Sequence, residues 1–373
     1  MSLTLSTNQT ASPVNPSPEA DTSSAQAATA ALIAQHRRHV LKRLTIVALL
    51  VVITVVAFIV SNSVGALPIS FGDVVRGIAQ PGSIDEQTRT VLWKLRLPMA
   101  VMALLIGAAL SLAGAQMQTI LNNPLAEPFT LGISAAAAFG GAASIVTHVT
   151  LVAQPQINIA IVSWLSAMIA TGLIVLAAVL RGASAETMVL LGIGLVFFFQ
   201  ALLALMQYHS SADALQQIVF WQMGSLTRAN WAGVAILTAV LVVTVPIFWM
   251  LSWQLTALRL GDARAQAMGI NVARLRIVVL ILVSLIAATT VAFAGIIGFI
   301  GLVGPHIARM LVGEDQRTFI PAAMAAGAAV MCAAHATSLL VKPGLAIPIG
   351  IVTAVLGVPF FLGIVLTRRR NLW

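Results

Sequence analysis

The feature that most constrains this chain is a succession of long stretches without a single charged side chain. They cover residues 44–60, 97–121, 128–180, 187–212, 229–258, 277–308, 318–341 and 343–367. At about 1.5 Å of rise per residue, roughly 20 helical residues cross a hydrocarbon core. The shortest stretch, 44–60, is just long enough to span. The 128–180 stretch holds two crossings, parted by the polar Gln154-Pro155-Gln156-Ile157-Asn158. Hydropathy thus counts nine spans, and a tenth lies within 277–317, too long for one crossing. There Gly295, Gly298, Gly301 and Gly304 loosen or turn the helix, or let a neighbouring helix approach closely.

Composition agrees. Only 8% of the 373 residues are charged, against about 25% in a soluble domain, so an ordinary water-soluble enzyme is excluded. A lone cysteine, Cys332, leaves neither a disulfide framework nor a cysteine-based metal cluster. The net charge of +9 raises the question of nucleic acid. The basic residues, however, are scattered at the ends of apolar runs, and aromatic residues for base stacking are few, so no nucleic-acid partner is expected. The expected fold is all-α: a polytopic membrane protein of about ten transmembrane helices with two weakly repeated halves. The repeat is an offset of 181 residues that aligns Ala113-Gly114 with Ala294-Gly295, Leu121 with Leu302, Pro124 with Pro305 and Gly132 with Gly313. Internal repeats of this kind mark transporters whose pathway lies between the halves.

Three parts are expected. Residues 1–43 form a disordered segment rich in Ser, Thr, Ala, Gln and Pro that ends in the basic cluster Arg37, Arg38, Lys42 and Arg43. It is not a signal peptide, because the positive cluster follows the polar stretch instead of opening it. Residues 44–367 form the membrane domain, and 368–373 a tail. With ten spans, fourteen of the twenty Lys and Arg residues fall on the side of the two termini. That places both termini in the cytoplasm and leaves Arg76, Arg89, Lys94, Arg96, Arg228 and Lys342 outside.

The motifs that are missing are as telling. The only lysines are Lys42, Lys94 and Lys342, and none follows a glycine, so the chain has no phosphate-cradling loop and no ATPase site of its own. It carries no H-E-x-x-H, C-x-x-C or G-x-S-x-G, so catalytic and metal-ligating residues are expected to be absent. No carboxylate sits mid-span, as ion-coupled carriers require; Glu127 and Glu186 lie at span ends, in structural places. If the protein moves a solute, its energy comes from a partner. The segment suited to receive it is 259–276. There Ala263, Ala267 and Ile270 recur near helical spacing among the polar Asp262, Arg264 and Gln266, and Gly269 ends the pattern. It is a short amphipathic helix, either an interfacial linker or a partner-docking element. Gln116, Gln118, Gln200 and Gln207 line a pathway or hydrogen-bond between helices.

Several ordered motifs resemble the iron–siderophore and vitamin B12 permease family, the membrane subunits of type II ABC importers. They are Arg96-Leu97-Pro98 with Leu105–Leu110 and Ala113-Gly114; Asn123-Pro124-Leu125-Ala126-Glu127-Pro128 with Leu131-Gly132-Ile133-Ser134; and Trp221–Leu226. The series continues with Leu260-Gly261-Asp262 and Ala267-Met268-Gly269-Ile270; with Gly295 to Arg309, including Gly298, Gly301, Pro305 and His306; and with Pro348-Ile349-Gly350 and Gly357–Phe361. The resemblance implies ten helices per subunit and a second permease subunit, identical or different, around one pathway. Two ATP-binding subunits beneath would hold the ATP, no cofactor residing in this chain, and an extracytoplasmic substrate-binding protein would deliver the ligand. It implies a bacterial cytoplasmic (inner) membrane location and import of a ferric siderophore or similar metal chelate. Corrinoid or haem uptake, or a transport-inactive structural subunit, are the alternatives.

The resemblance also assigns residues. Leu260, Gly261, Asp262, Ala267, Met268 and Gly269 match the cytoplasmic coupling segment. Docking of the delivery protein falls to arginines in an R-L-P-R and an A-D-x-x-x-R motif. Here Arg96 is the first, Met99 replaces the second, and Ala334-His335-Ala336-Thr337-Ser338-Leu339 has His for Asp and Leu for the third Arg. The glutamate that usually precedes Leu-Pro-Val-Gly is Ala346. Lys94 and Lys342 lie close in sequence to the vacated positions. Asn123, Pro124, Gly298, Gly301, Pro305 and His306 are expected to be structural, with Pro305 and its glycines breaking 293–313 into two helices.

Overall fold

The computed structural model describes residues 18–341 and 345–367. The regular structure among these residues is all helical, with no strand. Fifteen α-helices follow in order: α1 (Pro18–Ser63), α2 (Phe71–Ala79), α3 (Glu86–Val91), α4 (Leu97–Ile120), α5 (Ile133–Thr147), α6 (Pro155–Arg181), α7 (Ala185–Tyr208), α8 (Ala212–Gln222), α9 (Trp231–Met250), α10 (Ser252–Leu258), α11 (Asp262–Ala267), α12 (Val272–Ala294), α13 (Ile300–Val312), α14 (Gln316–Leu340) and α15 (Ile349–Thr367). Among the described residues, seven stretches are long and apolar enough to cross a membrane: Leu32–Ser63, Glu86–Ile120, Pro155–Arg181, Ala185–Tyr208, Trp231–Met250, Val272–Ala294 and Gln316–Leu340. Three shorter apolar helices, Ile133–Thr147, Ile300–Val312 and Ile349–Gly363, accompany them.

Polar residues start many of these helices. The Ser70, Ser184, Ser211 and Asn230 side chains accept from the backbone N–H groups of Asp73, Thr187, Ala214 and Gly233, giving first-turn donors a partner. Large apolar side chains remain exposed on α7 and α9, among them Leu190, Phe197, Val242 and Met250. On a chain of this composition such a surface faces lipid.

The chain forms two compact units, 1–45 and 46–373. In the first, helix α1 begins at Pro18, within the 1–43 segment expected to be disordered; residues 1–17 lie outside the described ones. Ala25, Ala27, Ala28, Ala30, Ala31 and Ala34 explain the difference, since alanine is the strongest helix former. The basic tail 368–373 also lies outside the described residues.

In the second unit α4 is the central element, buried along almost its whole length and packed on α14, α13 and α12. Small residues set this packing. A Cβ on Gly107 would lie 2.4 Å from the Gly327 carbonyl oxygen, and one on Gly114 only 1.9 Å from that of Gly301. Ser111 adds a 2.5 Å hydrogen bond to the Ala323 carbonyl. Helices α5, α6 and α7 pack together, and α12 touches both α4 and α6. The residues matched at the 181-residue offset fall in unlike elements: Gly114 is inside α4 while Gly295 ends α12, and Pro124 is in a turn while Pro305 is inside α13.

The 229–258 stretch gives α9 and, after Leu251, the separate α10. The 277–317 region does divide, but not at Pro305. Gly295 (φ +76°) ends α12, Phe299 (φ +69°) precedes α13, and Pro305 lies inside α13. A proline there leaves the carbonyl four residues earlier without its helical donor. That carbonyl, on Gly301, accepts from the Gln118 side chain at 3.4 Å. Gly298 has open space where a side chain would sit, so it does not serve close packing; Gly301 and Gly304 do, facing α4.

Candidate functional site

Residues 251–276 build the candidate coupling site. Gly261, at φ +97°, turns the chain into α11, and Gly269, at φ +83°, turns it out. The Gly269 and Ile270 N–H groups bond back to the Gln266 and Ala265 carbonyls at 2.9 and 3.1 Å. This closes the end of the helix in the way a left-handed glycine allows. Asn271 then caps α12 through the Arg274 N–H. Ala265 and Ile270 point inward, whereas Leu260, Ala263, Ala267 and Met268 are exposed. This corrects the sequence pattern, which put Ala263 and Ala267 on one face with Ile270. A six-residue helix between two glycine turns is too short for periodicity to set its rotation.

One arginine sets it instead. Arg276, buried in the second turn of α12, donates to both Asp262 carboxylate oxygens at 2.7 and 2.9 Å. It also donates to the carbonyls of Ile120 at 2.9 Å and Ala183 at 3.1 Å. A single guanidinium therefore joins α11 to α12, to the end of α4 and to the α6–α7 connection. Glu314 gathers a second pair, bonding Arg259 and lying 3.0 Å from Arg309 Nε. Arg309 also donates to Gln118 at 2.7 Å. Gln116 donates to Gln316 at 3.0 Å, and Gln316 to Thr119 at 3.1 Å. These two glutamines of α4 thus link helices. Nothing in the spacing of Asp262, Arg276, Arg259 and Glu314 marks them in the sequence as partners.

The nearby connection from α4 to α5 carries Asn123 and Pro124. Asn123 Oδ1 accepts from the Leu125 N–H at 2.9 Å, forming a turn in which Pro124 is the second residue. Glu127, in the same connection, is pushed up to about 7 by burial, against a lowering hydrogen bond from the Phe299 backbone. His306 is buried in α13, edge-on to Phe360 at 6.1 Å. Among the described residues no group of three His, Cys, Asp or Glu side chains is placed to hold a metal.

The residues assigned to docking gather at the other end of α4. Helix α4 has 24 residues, so its ends lie about 36 Å apart. Arg96 is buried there, donating to the Asn62 carbonyl at 2.7 Å and to that of Leu67. It ties down the α1–α2 connection and also borders an open cleft. The desolvation cost of an arginine is met by these carbonyls. Lys94 is exposed, and Lys342 lies outside the described residues. Met99, Leu339 and Ala346, three of the four positions lacking the family's charges, line one cleft of about 410 Å³ beside Arg96. His335 is buried with no hydrogen-bond partner for either ring nitrogen among the described residues.

An apolar helical bundle with a pinned polar helix pair at one end and open clefts at the other defines a multi-pass membrane-transport subunit. A model of the FecCD transport family matches residues 52–368, and the chain belongs to that family. It is 35% identical over 312 residues to the Fe(3+) dicitrate transport system permease protein FecC of Escherichia coli, covering 82% of this chain and 91% of that protein. It is 35% identical over 280 residues to an iron chelatin transport system permease protein of Helicobacter pylori, covering 75% and 83%. A solved metal-chelate type ABC transporter, in an inward-facing conformation, superposes with a TM-score of 0.77 at 32% identity, covering 87% of this chain and 99% of that one.

Proposed function

We propose that this chain is the permease subunit of an ATP-driven importer that moves a ferric siderophore or similar metal chelate across the bacterial cytoplasmic membrane. A second permease subunit completes the pathway, two ATP-binding subunits drive it, and an extracytoplasmic binding protein supplies the chelate. Both termini lie in the cytoplasm, and so does the 259–276 segment. The observation that carries the reading is the exposed apolar rim Leu260, Ala263, Ala267 and Met268, held out from a segment anchored by Arg276. Such a rim transmits force because its base cannot slide: four hydrogen bonds from one side chain join it to three other parts of the domain. The relatives' cargoes, ferric dicitrate and iron chelatin, support a metal chelate as the load.

The test is uptake into proteoliposomes that hold the permease, its ATPase and its delivery protein. Radio-iron delivered as a chelate should accumulate with ATP and not with an ATPase disabled in hydrolysis. Equal accumulation with the disabled ATPase would refute the ATP-driven reading.

A further inference from the structure

At the Arg96 end of the domain lies a second, larger cavity of about 870 Å³, bounded by α8, the 225–228 turn and residues 345–348. Its volume falls in the range that takes a small-molecule ligand, roughly 300–1,000 Å³. Phe220 and Trp221 supply much of an apolar wall. Set into that wall are Gln156, Gln216, Gln217, Ser225, Thr227 and Arg228, and no Asp or Glu lines the cavity. Arg228 also borders a small adjoining pocket, of about 70 Å³, again without a carboxylate.

Arg228 is the unusual member. Its Nε and Nη2 are buried and have no hydrogen-bond partner among the described residues. The Gln222 Nε2 beside the turn is buried and unpartnered as well. The turn itself is fixed: the Ser225 N–H bonds the Ala294 carbonyl at 2.7 Å, the Ser225 and Thr227 hydroxyls bond each other at 2.8 Å, and Asn230 caps α9. The guanidinium is therefore held at the cavity without an internal anion to neutralise it. A buried cation is costly unless paired, and a guanidinium stays charged across the physiological range. Its fork geometry matches a carboxylate through two parallel hydrogen bonds.

We propose that this cavity is a binding site for the carboxylate groups of an anionic metal chelate, with Arg228 as its cationic anchor and the glutamines as neutral donors around it. This rests on the metal-chelate importer reading and narrows the cargo to chelates bearing negative charge. The aromatic wall covers the ligand's carbon skeleton, and the absence of lining carboxylates removes like-charge repulsion.

The test uses the complete permease–ATPase complex in nanodiscs, with ferric citrate as the anionic probe and a neutral iron trihydroxamate as control, followed by equilibrium binding. Ferric citrate should bind wild type, and Arg228→Gln should weaken it by at least about tenfold, while the neutral chelate changes by less than about twofold. Arg228→Lys should fall between, since lysine keeps the charge without the fork. On wild type alone, iron-free citrate should displace ferric citrate and not the neutral chelate, which keeps the test decisive if a variant fails to fold. Equal loss for both chelates, no loss for either, or no displacement by citrate would overturn the site. Weakened docking of chelate-free delivery protein to Arg228→Gln, matching the loss for ferric citrate, would assign the carboxylate to that protein and also overturn it. Arg228-dependent binding without ATP-driven uptake of either chelate would sink the importer reading and leave the site. Uptake of both without charge preference would do the reverse.

Discussion

At the Ile120 end of α4, Arg276 meets a carboxylate with both its Nη atoms, and Arg259 and Arg309 share Glu314. At the opposite end, Arg96 meets only backbone carbonyls, and Arg228 has two buried nitrogens without a partner among the described residues. The first end spends its charges on itself. What it shows outward includes the apolar Leu260, Ala263, Ala267 and Met268, interleaved with the exposed Asp262, Arg264 and Gln266, a surface suited to pressing against another protein. The second end keeps a cation in reserve beside a cavity, suited to a ligand that brings its own negative charge. Pairing makes a rigid lever; leaving a charge unpaired makes a receptor.

The contrast breaks most severely at Arg276. Replacing it by alanine leaves Asp262 without its cation and the Ile120 and Ala183 carbonyls without a donor. Asp262 is half exposed, so the expected cost, about 2–4 kcal/mol, comes chiefly from the two orphaned carbonyls, seen as loss of folded permease from membranes and of uptake. Arg276→Lys should recover little, because three donors on one compact nitrogen cannot span the partners that the broad planar guanidinium reaches.

Smaller effects are expected between the ends. Gly114→Val drives a side chain into the Gly301 carbonyl and should destabilise by about 1–3 kcal/mol, lowering the thermal midpoint in detergent. Gly298→Val, in open space, should shift it far less. A comparable midpoint shift for Gly298→Val would mean the close approach at Gly114 is not what orders α4 and α13.

At the ligand end, Arg96→Gln is expected to cost about 1–3 kcal/mol through the two orphaned carbonyls. Affinity for the delivery protein, and its dependence on salt, should stay as in wild type. A steep loss of salt-dependent affinity at unchanged stability would instead mark Arg96 as a docking charge.

The smallest stability effect is expected on the rim. Ala267→Glu puts a charge on an exposed position and should change stability by less than about 0.5 kcal/mol. ATP-driven uptake should nevertheless fall sharply, since the apolar contact with the ATPase is lost.

How much of this was legible in the sequence follows from the physics of each part. Long uncharged runs have one solution, a membrane helix, so 97–121 and 318–341 foretold α4 and α14 within a residue or two. The division of 277–317 was visible in its glycines. Its position was not, because a proline inside α13 is tolerated once Gln118 reaches the freed carbonyl. The coupling segment was legible as an element, bounded by Gly261 and Gly269, but its rotation was hidden in the pairing of Asp262 with Arg276, 14 residues away. The partners of Arg96 were hidden for a related reason: a motif reports that an arginine is present, and only the fold shows that its guanidinium reaches the Asn62 carbonyl. Arg228 carried no signal, since an unpaired charge looks like any loop charge until its neighbours are known.

The central claim, that the rim of α11 is where the partner ATPase engages, is tested most directly by cysteine cross-linking. The native Cys332 is buried, so a thiol introduced as Met268→Cys is the accessible one. In membranes holding the whole importer, a short thiol–amine cross-linker on Met268→Cys should join the permease to its ATPase, with a yield that changes when ATP binds. The same reagent on Leu345→Cys, at the far end, should not. If Met268→Cys never links to the ATPase, or reacts instead with a membrane-impermeant reagent added from outside intact cells, the account is contradicted.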